Sequence, residues 1–137
     1  MQPSSYGDGK EAARANREFY RAFERLDFEA MRAVWLDDDR IQCVHPAGER
    51  LVGRERVLGS WQAIFRATEA IQFELADLSI EIVGDLAWAS AIERIRVPSV
   101  ESQASEAVAT NLFVRTPAGW KLVLHHASPI ARRFFPS

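Results

Sequence analysis

The chain has 137 residues, 47% hydrophobic and 26% charged, with 17 Lys and Arg against 19 Asp and Glu for a net charge of −2. That is the composition of one soluble domain, large enough to bury a core without disulfides or a structural metal. The near-neutral balance argues against nucleic acid as the main partner, no apolar stretch reaches a membrane span, and the lone Cys43 excludes an intrachain disulfide and a Cys-based zinc site.

A polar N-terminus without an apolar signal core, together with the single cysteine, points to the cytoplasm. Residues 1–7 and 132–137 read as flexible termini around a single domain spanning 8–131. Asp8 is placed to cap a helix whose apolar stripe is Ala12, Ala15, Phe19, Phe23 and Leu26. Asp27 caps a second, shorter helix carrying Ala30, Met31, Val34 and Trp35, which ends at the run Asp37, Asp38, Asp39. Short strands follow over 41–45 and around Leu51 and Val52. A third helix bears Val57, Leu58, Trp61, Ile64, Phe65 and Thr68 at helical spacing. From Ile71 the period changes to that of strands, giving 71–83, 86–97, 103–115 and 120–128, separated by turns at Gly84-Asp85, near Pro98, and at Pro117-Ala118-Gly119. Helices first and long hairpin-linked strands afterwards predict an α+β fold, an antiparallel sheet curled against the helices.

Alternation from a solvent-facing Lys121 sends Trp120, Leu122, Leu124 and His126 inward and His125 outward. A four-residue turn pairs Arg115 with Trp120, Phe113 with Leu122, and Asn111 with Leu124. Asn111 then neighbours His126, and Ile41, Cys43 and His45 share one face of the first strand.

A helix hairpin, Val44-His45-Pro46, Leu51-Val52-Gly53-Arg54 before the Trp61 helix, Gly84-Asp85-Leu86-Ala87-Trp88, and the closing Gly119-Trp120-Lys121-Leu122-Val123-Leu124-His125-His126-Ala127-Ser128-Pro129 together resemble the nuclear transport factor 2-like superfamily. Within it, the match is to the SnoaL-like, ketosteroid isomerase-related proteins, over about residues 10–130. The resemblance implies a cone-shaped α+β barrel, a pocket between sheet and helices, and a homodimer packed through the outer face of the sheet. The superfamily spans isomerases, polyketide cyclases, dehydratases, transport adaptors and the calcium/calmodulin-dependent protein kinase II association domain, so fold does not convert to function. The steroid isomerases use a pocket Asp as base, with a Tyr and a protonated Asp as donors. Here the tyrosines are Tyr6 and Tyr20, and no strand offers an isolated inward Asp.

The candidate chemistry therefore rests on His45 and His126, as an acid–base pair near neutral pH or as structural donors to buried carbonyls. The expected ligand is a small, largely apolar molecule touching Trp35, Trp61, Asn111, Phe113 and Cys43. No cofactor is expected, and no metal, because a third ligand at recognisable spacing is missing. Asn111 either polarises a ligand carbonyl or satisfies a strand end, and Cys43 reads as a small buried filler. The three consecutive aspartates read as a solvated loop. Glu93 is either a buried carboxyl on a concave alanine face or a rim salt bridge on a convex one. The functional readings are a cofactor-free isomerase, cyclase or dehydratase, and a non-catalytic association module; Trp88 is assigned to the dimer face.

Overall fold

Apolar residues recurring every three or four positions wind α1 (Ser5–Arg25), and Asp27 caps α2 (Phe28–Val34) by accepting from the Ala30 N–H. The computed structural model describes residues 5–98 and 104–131. Of the termini expected to be flexible, 1–7 and 132–137, residues 1–4 and 132–137 lie outside that range, and 5–7 form the start of α1. β1 (Gln42–Val44) and β2 (Arg50–Val52) lead into α3 (Arg54–Ala67). The long strands β3 (Gln72–Val83), β4 (Leu86–Arg96), β5 (Ala104–Thr116) and β6 (Gly119–Pro129) follow. Their spatial order is β2-β1-β6-β5-β4-β3, antiparallel except where β1 runs parallel to β6.

Two local features depart from expectation. α1 begins at Ser5, so Asp8 lies in its first turn and not at its cap. Its carboxylate instead takes a bidentate pair from Arg115 at 2.7 and 2.9 Å, and that guanidinium lowers its pKa. α2 stops at Val34, because Trp35 turns extended and bridges to Leu122 of β6. The acidic run is the solvated loop expected of it: Asp38 caps a turn by accepting from the Arg40 N–H, Asp37 pairs with Arg54 at 3.2 Å, and Asp39 accepts from the first N–H of α3.

The core lies between the helices and the concave face of the sheet. Phe19, Met31, Trp35, Ile41, Val57, Trp61, Phe113 and Leu122 are all buried there. Trp120 joins them, with Arg115 stacked 4.6 Å from its ring centroid. Trp88 stands half-buried on the opposite face.

Candidate functional site

The register of β5 on β6 decides which histidine enters the barrel. Arg115 faces Trp120 and Phe113 faces Leu122 as alternation predicts, but the next pair is Leu112 with Leu124. Val123 is an extra residue, a bulge that reverses the alternation beyond it. Asn111 consequently pairs with His125, which is 1% exposed, while His126 is exposed on the outer face. The inward placement of His126 is thus corrected to His125.

β1 completes the arrangement by running parallel to β6, with Cys43 beside His125. Cys43 is fully buried and its Sγ lies 3.6 Å from His45 Nε2; burial pushes its thiol up, so it offers no thiolate. His45 is half-buried and stacks edge-on to Trp61 at 4.7 Å between centroids. Ser60 Oγ donates to the Val57 carbonyl at 2.7 Å, so at 2.9 Å it is His45 Nε2 that donates to Ser60.

Behind His45 runs a chain of buried polar groups contributed by α1, β4, β5 and β6. Asn111 Nδ2 donates to Asn16 Oδ1 at 2.9 Å and to Tyr20 Oη at 3.5 Å. Its Oδ1 is therefore the acceptor at 2.6 Å from His125 Nδ1, which fixes the histidine proton on that nitrogen. Tyr20 Oη in turn donates to Glu93 Oε2 at 2.5 Å. Asn16, Glu93, Asn111 and His125 are each at most 2% exposed. Glu93 thus lies on the concave face, among the buried alanines Ala89, Ala91, Ala107 and Ala109.

Burial controls the charge states. It lowers His125 from 6.5 to about 3, with smaller repulsion from His45 and His126, and lowers His45 to about 4. Both imidazoles are neutral at physiological pH, which removes the acid–base switch expected of a histidine pair. Burial raises Glu93, partly offset by the Tyr20 hydrogen bond, and raises Tyr20, reinforced by Glu93.

The residues expected around a ligand divide by depth. Trp61, Cys43 and Asn111 gather around His45 and His125. Trp35 and Phe113 lie buried beside Leu122, each across from it in the sheet. Asn16, Tyr20 and His125 were missed as site residues. The spacing of Asn16 and Tyr20, one helical turn apart beside Ala15 and Phe19, is the signal that would have placed them inward. Among the described residues no cluster of three or more His, Cys, Asp or Glu could hold a metal ion.

Comparison with known proteins agrees with the fold. A candidate dehydratase of the NTF2-like family from Streptomyces avermitilis is 39% identical, with a TM-score of 0.89 over 93% of this chain and 99% of its own. A candidate calcium/calmodulin-dependent protein kinase type II association domain from Thiobacillus denitrificans is 32% identical, with a TM-score of 0.78 over 85% of this chain and 93% of its own. The F-box protein SKIP8 of Arabidopsis thaliana is 28% identical over 82% of this chain, which spans about half, 47%, of that curated relative. The model of the SnoaL-like domain matches residues 13–132, and the chain belongs to that family.

Proposed function

We propose that this chain binds a small, largely apolar molecule on the alanine-lined inner face of the sheet and exchanges a proton with it through Glu93 and Tyr20, in the isomerase, cyclase or dehydratase class. The observation that carries this reading is Glu93 itself, 2% exposed, with a tyrosine hydroxyl and no cation against it among the described residues. A carboxyl so placed costs roughly several kcal/mol if ionised, a burden an apolar residue of similar volume would not impose. Perturbed acids grouped with further hydrogen-bonding side chains are the raw material of acid–base sites. His125 and His45, held neutral, orient the ligand's polar groups. The 39% identical dehydratase candidate supports the same reaction class.

A thermal-shift screen of enones, hydroxy ketones, aromatic alcohols and amines tests the site. Stabilising compounds are expected with wild type and His126→Ala but not with His125→Ala. No stabilising compound, or compounds indifferent to His125→Ala, would overturn the reading.

A second reading, self-association, is favoured by the outer face of the sheet. There Leu36, Leu112, Val114, Val123 and Leu124 line an apolar groove of about 510 Å³. A homodimer covering it is expected in sedimentation velocity, and Leu124→Asp should give the monomer; a monomeric wild type would sink it. No helix among the described residues is long and apolar enough to cross a membrane. With its lone buried thiol, the chain suits the cytoplasm.

A further inference from the structure

Glu93 is a buried acid with no positive charge against it among the described residues. Tyr20 donates to Oε2, and Oε1 has no donor among the described residues. The other titratable groups of the inner face are Tyr20, Cys43, His45 and His125, and none carries a positive charge at neutral pH. The nearest arginine in sequence, Arg94, points to the other face, where it pairs with Glu74 and Glu106.

The tyrosine that reaches this carboxyl belongs to an aromatic group, and the carboxyl's neighbours in the sheet are small. The Tyr20 ring meets Phe19 at 4.8 Å and Phe73 at 5.3 Å between centroids, and Phe73 meets Phe23 at 4.5 Å. Ala91 lies two residues along β4 and Ala107 stands directly opposite on β5, both buried. An anion entering here would meet a carboxyl group and no cation. A neutral molecule would leave the charge of an ionised Glu93 uncompensated. An organic cation satisfies both surfaces, its charge neutralising the carboxylate and its flank lying on ring faces that attract cations.

We propose that the ligand of this inner face is a small primary amine, bound as its ammonium ion with Glu93 as counter-charge and the rings of Tyr20 and Phe73 against its carbon skeleton. The inference rests on reading the inner face as a ligand site and names the class of molecule it takes. The ammonium donates to Oε1 while Tyr20 keeps Oε2, so the binding step itself moves no proton out of the pair and forms no covalent bond.

Three probes of one shape and different charge test it: benzylamine, benzyl alcohol and benzoate, titrated at pH 7.5 into ¹⁵N-labelled protein. The reporter is the Trp61 indole N–H, buried without a hydrogen-bond partner in the same aromatic group, with Phe23 4.8 Å and Phe19 5.5 Å from its ring. Benzylamine should shift that resonance saturably, benzyl alcohol should bind about tenfold more weakly, and benzoate should leave it unmoved. Glu93→Gln should weaken benzylamine by about tenfold or more, as expected for losing a hydrogen bond to a charged group. Tyr20→Phe, which keeps the carboxyl, should retain the preference for the cation. Equal binding of benzyl alcohol and benzylamine, unchanged affinity in Glu93→Gln, or loss of the charge preference in Tyr20→Phe would overturn the amine while leaving the ligand site standing. Silence from all three probes would also overturn the amine, and the wider thermal-shift screen then decides separately whether any ligand binds.

Discussion

His125 and His126 are neighbours in the chain, yet the first is 1% exposed inside the barrel and the second stands in solvent on its outer face. The same strands supply both faces with different chemistry. Inside, alanines and aromatic rings enclose a hydrogen-bonded chain from His125 through Asn111 and Tyr20 to Glu93. Outside, Leu112, Val114, Val123 and Leu124 line an apolar groove, with Thr110 and His126 exposed along the same face. The difference is assigned by one residue. Val123, set between the pairs Phe113–Leu122 and Leu112–Leu124, places two consecutive apolar side chains on the groove and turns the following residues over.

Deleting Val123 tests whether this division needs the bulge. Leu122 and Leu124 would then be consecutive, strict alternation would keep Leu124 outward opposite Leu112 and His125 inward opposite Asn111, and a cooperative unfolding transition is expected to survive, at lower denaturant because the strand loses its bend. Loss of the transition would show that the bend itself is indispensable. Asn111→Ala should cost about 1–3 kcal/mol, because it strips partners from the buried His125, Asn16 and Tyr20 at once, measurable by urea unfolding.

The pH dependence separates the two kinds of buried group. His125 and His45, lowered to about 3 and about 4 from 6.5, take up protons in the unfolded chain where the fold refuses them. Their contribution to stability is present above 6.5 and shrinks as pH falls, by about 1.4 kcal/mol per pH unit for each imidazole where only the unfolded form is protonated. Glu93 acts in the other direction. Raised by burial, its contribution is present below 4.5 and is lost as pH rises through its folded value. Glu93→Gln should therefore steepen the gain in stability between pH 4.5 and 6.5; an unchanged slope would refute the raised acid. The smallest effect belongs to the outer face, where His126→Ala should change stability by less than about 0.5 kcal/mol.

Much of the fold was legible in the sequence because its period is explicit. The strands expected at 86–97 and 120–128 are observed at Leu86–Arg96 and Gly119–Pro129, and the Asp27 cap forms as its residue type predicts. The site was less legible for identifiable reasons. Leu122, Val123 and Leu124 are apolar in either register, so no glycine or change of polarity marks the bulge. The parallel seat of β1 on β6 joins distant segments, and no local pattern encodes it. Glu93 was ambiguous because an alanine face suits a barrel interior as well as a flat interface, and only the Tyr20 hydroxyl on α1 settles which one it is.

That parallel seat also sets the order in which the molecule can become itself during synthesis. α1, α2 and the β1–β2 ribbon leave the ribosome first, but β1 pairs with only three residues of β2 until β6, near the other end of the chain, emerges to receive it. These early segments carry Phe19, Trp35 and Trp61, whose burial awaits strands not yet made. A nascent chain halted before residue 119 would expose these aromatics together, giving a window open to chaperones and proteases that closes when the final strand docks.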